Sequence, residues 1–562
     1  MRPFRWSHTI VKIAGLYFRY KRANQPVFED FRLEVAPGER LAIIAPSEAG
    51  KSTLTLCLNG LIPRMIKGEF RGRVEVDGCL TQQYWPRDLA SKVGVLFQDF
   101  EAQLFSTRVD QEVAFGPENL GLPHPELCRR VNQALDLVGL GNLKDRDPAT
   151  LSGGQKQLLA LAAVLSLEPG LLVLDEPTTD LDPNRVEALL ITLDQVCIKE
   201  NLTLILLGED LRLARHCSRV ILFSHGKVMA DGPPDQVLRQ VDTMRDLGLK
   251  PPDLPALFRD LAESTLPLTL AEAMLQAHSL GWHTKPQGHP LNEADQPQAL
   301  GPEILALKEV SFGYPGGSPV FAGLGLNFRQ GELTAILGEN GSGKTTLLKL
   351  LQGLLKPQAG EVWRAPEVRV GFVFQNPDYQ LFAEEVWEEV TMGLRLTGLA
   401  EDEVRRRAET ALSQVHLLDK AQEDPFSLTK GQRQRLAVAA VLALMPQVII
   451  LDEPTTGLDH REQEDMLALI RELHEKGHTI IMVTHSMWAA SYYARRLIVL
   501  HTGRVVLDGP TRDVFAEEEH LAACGLRAPE IVQLSRSLGF IALTPEEFRR
   551  HISEKSLMPR KM

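Results

Sequence analysis

Residues 338–345 read Gly-Glu-Asn-Gly-Ser-Gly-Lys-Thr, and residues 45–52 read Ala-Pro-Ser-Glu-Ala-Gly-Lys-Ser. Each follows an apolar run and leads into a helix-forming stretch. A Gly-x-x-x-x-Gly-Lys-Ser/Thr turn between a buried strand and a helix aims several backbone N–H groups and the positive helix end at one point, which suits phosphate. The second stretch is therefore a phosphate loop and the first a variant of it. Ala45 stands at the first glycine position and Glu48 stands where the second copy has Gly341. The chain carries two nucleoside-triphosphate sites, spelled differently.

The repeat runs through most of the chain. Lys51 and Lys344 lie 293 residues apart, whereas Gln98 and Gln375, Ser152 and Thr429, Asp175 and Asp452, and Gly232 and Gly509 all lie 277 apart. The first half thus holds 16 extra residues between its loop and Gln98. Within them, residues 72–78 alternate in polarity and end in Asp-Gly, which predicts a β-hairpin trimmed from the second half. Apolar runs at 41–45 and 171–174 alternate with helical stretches such as 155–167, so each half reads as α/β. A smaller repeat follows each half, at 248–253 and 525–530, again 277 apart and each preceding a short amphipathic helix. It is either a packing appendage or a dimer-contacting module. The predicted layout is a first ATPase domain at 1–245, a helical extension at 246–280, a Gly/Pro/Gln-rich linker at 281–301, a second domain at 302–515 and a C-terminal helical extension at 516–562.

A chain of 562 residues exceeds one hydrophobic core, and 44% hydrophobic with 24% charged residues is ordinary for a globular protein. The net charge of −12 disfavours nucleic acid as the main partner. The six cysteines show no C-x-x-C spacing, which predicts neither a metal site nor a disulfide framework and points to a reducing cytosol. No apolar leader opens the sequence. The longest apolar stretch, 436–451, is broken by Pro446 and Gln447 and falls short of the roughly 20 residues of a membrane span. It reads as a buried helix followed by a buried strand, so a membrane role would come from docking onto another subunit.

The chemistry follows from the motifs. Lys51 and Lys344 are expected to reach the β and γ phosphates, and Ser52 and Thr345 to ligate Mg²⁺. Apolar strands at 171–174 and 448–451 each deliver two acids to the loop. Asp175 and Asp452 are expected to hold Mg²⁺, and Glu176 and Glu453 to orient or deprotonate the attacking water. Residues 151–155, Leu-Ser-Gly-Gly-Gln, open a helix, and the paired glycines beside Ser152 offer a second anion cradle. This stretch resembles the signature of ATP-binding-cassette (ABC) ATPases. With Gln98 and Gln375 after strands, Asp182 and Asp459 in Leu-Asp turns, and Tyr20 and Tyr314 placed to stack on adenine, both halves resemble ABC nucleotide-binding domains. The fold implied is α/β, two tandem P-loop ATPase domains, each with a helical signature subdomain and a small C-terminal extension.

Residues 98–105 (Gln-Asp-Phe-Glu-Ala-Gln-Leu-Phe), 375–382 (Gln-Asn-Pro-Asp-Tyr-Gln-Leu-Phe) and 112–123 are similar to the ATPases of energy-coupling factor (ECF) transporters. The second half keeps a looser version at 389–394. The resemblance implies an ATP- and Mg²⁺-dependent ATPase at the cytoplasmic face of the cell membrane. Its partners would be a transmembrane coupling subunit and a small substrate-binding membrane protein, gripped through grooves near Gln98 and Gln375. The implied task is import of a vitamin or metal ion that the chain never touches. The alternative is a soluble tandem ABC ATPase acting on ribosomes or nucleic acid, which a long charged arm or basic face would favour; the linker and the acidic balance do not.

The resemblance also implies that the halves pair head to tail, each site taking its loop from one half and its signature from the other. One site then comprises Tyr314, Gly338, Asn340, Gly341, Gly343, Lys344, Thr345, Thr346, Gln375, Asp452, Glu453 and His485, closed by Ser152, Gly153, Gly154 and Gln155. Glu453, His485, Gln375 and Lys344 are its expected catalytic residues, and Thr345, Gln375 and Asp452 its Mg²⁺ ligands. The other comprises Tyr20, Ser47, Gly50, Lys51, Ser52, Thr53, Gln98, Asp175 and Glu176, closed by Thr429, Lys430, Gly431 and Gln432, with Ser52, Gln98 and Asp175 toward Mg²⁺. Every departure falls on this second set: Ala45, Glu48, Lys430, and no histidine at 208, 209 or 210. A carboxylate about 6 Å from phosphate at an effective dielectric near 20 costs roughly 3 kcal/mol per facing charge. Glu48 is therefore expected either to pair with Lys430 in a holding site that hydrolyses slowly, or to point to solvent with it.

Overall fold

The computed structural model describes residues 9–179, 181, 183–261, 265–282 and 301–552. Asp182 and most of the expected linker lie outside the described residues. Two compact units divide the chain, residues 1–255 and 256–562.

In the first unit a six-stranded sheet runs in the order Lys227–Gly232, Arg219–Ser224, Arg40–Ile44, Thr203–Gly208, Leu171–Asp175, Val93–Leu96. Its strands are parallel except for the outer pair of Lys227–Gly232 with Arg219–Ser224. The central strands are buried along their length, which is why they read as unbroken apolar runs rather than alternating ones. A second, antiparallel sheet joins Phe28–Val35, Val11–Tyr20, Gly68–Val76 and Cys79–Leu80. The predicted hairpin is its edge: Val76 pairs with Cys79 around Asp77 and Gly78, both at positive φ.

The second unit repeats this plan. Its six-stranded sheet orders Val370–Val373, Val448–Asp452, Thr479–Val483, Leu333–Leu337, Arg496–His501 and Arg504–Pro510. Its antiparallel sheet has three strands, Pro319–Arg329, Glu303–Gly313 and Ala359–Arg364, without the hairpin's return strand. The apolar stretch at 436–451 divides as expected between the helix Lys430–Leu442 and the strand Val448–Asp452.

Both small repeats form helices starting at Asp253 and Glu530. From Ala256 onward the first of them belongs to the second unit. There Phe258 stacks on Trp282 at 4.7 Å, and Trp282 meets Phe548 edge-on at 5.6 Å. The helix Leu270–Ser279 lies against Glu530–Ser537. Thr269 and Thr544 cap their helices identically, each accepting from the N–H three residues on.

Candidate nucleotide sites

Each phosphate loop leaves the centre of its parallel sheet and ends in a glycine whose φ is reserved for glycine. Gly50 at φ 103° opens the helix Lys51–Leu58, and Gly343 at φ 105° opens Lys344–Gln352. A Cβ on Gly50 would lie 2.6 Å from Val27 Cγ1, and one on Gly343 2.9 Å from Phe321 Cζ. The lysines fold back over the loops. Lys344 Nζ donates to the carbonyls of Gly338 and Glu339 at 2.8 and 3.0 Å, and Lys51 Nζ to those of Ala45 and Pro46 at 2.8 and 2.9 Å. Both tyrosines share a hydroxyl bond with the next turn, Tyr20 with Thr53 at 3.0 Å and Tyr314 with Thr346 at 3.2 Å.

The acid pairs arrive on the neighbouring strand in both halves. Asp175 and Asp452 are almost wholly buried, and burial pushes each carboxyl up to about 6 against the pull of Ser52 and Lys51, or Thr345 and Lys344. Oδ1 of each lacks a hydrogen-bond partner, as a buried carboxylate awaiting a cation would. A hydroxyl, a buried acid and an oxygen-rich phosphate suit Mg²⁺. Glu176 and Glu453 both sit at positive φ, 52° and 49°, a strained backbone that repeats at equivalent positions. Strand register puts Gln98 and Gln375 two residues past Leu96 and Val373, level with Glu176 and Glu453, and both glutamines are exposed.

Register also identifies the residue that replaces His485. Asp452 is paired with Val483 and Asp175 with Leu207, while Ile336 faces Val483 and Ile43 faces Leu207. The N–H of Glu453 donates to Val483 O and that of Glu176 to Leu207 O. Counting on two residues from each strand partner gives His485 in one half and Glu209 in the other, with Ser486 and Asp210 then capping the helices that follow. His485 Nε2 lies 2.9 Å from Glu453 Oε1, and its N–H donates to Glu453 Oε2 at 3.2 Å. Glu209 turns instead to the loop: its Oε1 accepts from Ser47 Oγ at 3.0 Å and Lys51 Nζ at 3.3 Å, and Lys51 also pairs with Glu176 at 2.8 Å. His216 is engaged elsewhere, its Nδ1 2.6 Å from Asp194.

The signatures differ as well. Ser152 caps the helix Gly153–Leu165 in a reciprocal box with Gln155, and Thr429 caps Lys430–Leu442 with Gln432. Behind Gly154 lies the guanidinium of Arg185. The equivalent position behind Gly431 is Glu462, which takes the Thr429 hydroxyl at 3.0 Å and whose burial raises its carboxyl above the ordinary range. Lys430 Nζ rests on the backbone of Gly457 in its own half. The first-half signature is thus an open cradle backed by a cation, and the second-half one is closed on itself and backed by an acid.

The model of the ABC transporter family matches residues 28–179 and 321–456, one stretch per half. This chain belongs to the ABC transporter ATPases. A relative from Caldanaerobacter subterraneus, provisionally named an ABC transporter ATP-binding protein, is 43% identical over 95% of this chain and 97% of its own length. One from Methanosarcina acetivorans, named in the same way, is 38% identical over 96% and 92%. A Bacillus subtilis protein provisionally named an HMP/thiamine import ATP-binding protein is 33% identical over 91% and 93%.

In this ABC ATPase the Gln-x-x-x-x-Gln-Leu-Phe stretches become surface features. Gln103 and Gln380 fold inward, accepting from the N–H of Phe97 and Phe374. Glu112 accepts from Phe105 N and Ser106 N at 3.0 and 2.7 Å, and Glu389 from Phe382 N and Ala383 N at 2.7 and 2.8 Å. These bonds fix the loop and leave Phe105 61% and Phe382 73% exposed. No helix among the described residues is long and apolar enough to cross a membrane. Glu209, Arg185 and Glu462 are the residues that motif reading passes over, since none lies in a motif; only the strand register and the space behind each glycine reveal them.

Proposed function

We propose that the chain is the ATP-hydrolysing, energy-coupling subunit of a membrane importer for a small micronutrient, acting at the cytoplasmic face of the membrane. On this reading the halves close head to tail over two nucleotides. The second-half loop with the Ser152 signature hydrolyses, and the first-half loop with the Thr429 signature mainly holds. The observation that carries the unequal roles is the exchange of His485 for Glu209 at one register position.

In the hydrolytic site Lys344 and the backbone N–H groups of the loop bind and orient the phosphates. Glu453, clamped between His485 and its own strained turn, is poised to accept a proton from water. Thr345, Asp452 and Gln375 would hold Mg²⁺, which supplies charge neutralisation on the transferred phosphate. In the first half Glu176 is spent on Lys51, so it is badly placed to serve as a base.

The importer role rests on the exposed aromatics beside Gln98 and Gln375, which form apolar points on a rigid loop, and on the kinship with an HMP/thiamine import protein. ATP-driven closure would move helices of a transmembrane coupling subunit seated there, and a small substrate-binding membrane protein would complete the assembly. Co-expression with candidate membrane subunits tests this. The intact chain should co-purify with a hydrophobic partner, and the Phe105→Ser/Phe382→Ser chain should lose it while keeping soluble ATPase activity; retention by the double variant would refute the docking surface.

A further inference from the structure

In the first unit, one carboxylate oxygen does what a terminal phosphate oxygen does in a phosphate loop. Glu209 Oε1 bridges Ser47 Oγ and Lys51 Nζ, at 3.0 and 3.3 Å. Lys51 Nζ meets four acceptors, the two loop carbonyls, Glu176 and Glu209, which saturates the three protons of an ammonium. The side chain of Glu209 is only 22% exposed, and its backbone is set between the end of the strand Thr203–Gly208 and Asp210, which caps the next helix. A third carboxylate, Glu48, stands at the loop tip with φ 60°, where the second half has a glycine at φ 85°.

Reading this loop as a nucleotide site, we infer that Glu209 stands in for the γ-phosphate and makes the first-half loop a nucleoside-diphosphate site that favours ADP over ATP. The β-phosphate of ADP still finds the backbone N–H groups of the loop and the start of the helix Lys51–Leu58. The γ-phosphate of ATP, in contrast, would have to displace Glu209 from Ser47 and Lys51 and then lie against Glu176, Glu209 and Glu48. At roughly 5 Å and an effective dielectric near 20, one such carboxylate suffices for a tenfold or larger loss of affinity. In the second half the same register position offers His485, which carries no negative charge and is turned onto Glu453.

The test uses the full chain with Glu453→Gln to stop turnover. Mg²⁺ complexes of 8-azido-ADP and 8-azido-ATP are photo-crosslinked, and labelled peptides are mapped to the Tyr20 or Tyr314 region. First-half peptides should reach half-maximal labelling at an ADP-analogue concentration at least tenfold below that for the ATP analogue, and the second half should show no such preference. Adding Glu209→Gln should bring the ATP analogue to within about twofold of the ADP analogue in the first half only. Equal labelling by both analogues before that substitution overturns the inference whatever Glu209→Gln does. A preference that survives Glu209→Gln, or an equal shift for both analogues, shows Glu209 to be a loop support and also overturns it. Absence of first-half labelling by either analogue overturns the nucleotide-site reading itself.

Discussion

Replacing Glu453 by Gln isolates the proton-accepting role with little else changed. The amide keeps an oxygen for the His485 N–H at 3.2 Å and the volume of a side chain only 5% exposed, but it cannot take a proton from water. Loss of a positioned general base removes about 10²–10⁴ in rate. If the second-half site carries the turnover, phosphate release from Mg-ATP by the purified chain should fall at least 100-fold. Glu176→Gln should leave turnover within about twofold, because that carboxylate is already committed to Lys51 at 2.8 Å. The two substitutions are chemically identical and sit at equivalent strained turns, φ 49° and 52°; melting temperatures of both variants show whether unequal folding damage contributes to unequal kinetics. Equal losses would refute the division of labour.

Three further outcomes follow from the geometry. Asp175 and Asp452 have carboxyls raised by burial to about 6 from 3.8, so the folded metal-free chain keeps protons that the unfolded chain releases. That contribution to stability is present below about pH 4 and lost as pH rises through 6, where the freed carboxylates gain Mg²⁺ affinity; thermal shift on adding Mg-ADP should therefore be small at pH 5 and larger at pH 7.5. Gly343→Ala forces a Cβ to 2.9 Å from Phe321 at φ 105°, and should cost about 1–3 kcal/mol in urea unfolding while weakening nucleotide binding. Trp282→Ala empties a fully buried site between Phe258 and Phe548 and should cost about 3–5 kcal/mol, with little change in nucleotide affinity.

What is local can be read along the chain. The phosphate loops, the helix start at Ser152, the Asp77-Gly78 turn and the acid pairs each depend on groups within a few residues of one another, so chemistry and spacing suffice to read them. The 277-residue repeat then assigned equivalent residues wherever both halves keep equal lengths. Equivalence fails between Asp175 and Glu209, because the first half spends one more residue than the second on reaching its next strand, and a count along the chain cannot tell which of three residues faces the loop. Inter-strand hydrogen bonds decide it: Leu207 beside Asp175 and Ile43, as Val483 beside Asp452 and Ile336, put Glu209 where His485 stands. Likewise Arg185 behind Gly154 and Glu462 behind Gly431 are neighbours through packing, not spacing. The loops announced two nucleotide sites, and long-range register, which the sheet alone sets, gave each loop its third-strand partner and with it a different charge.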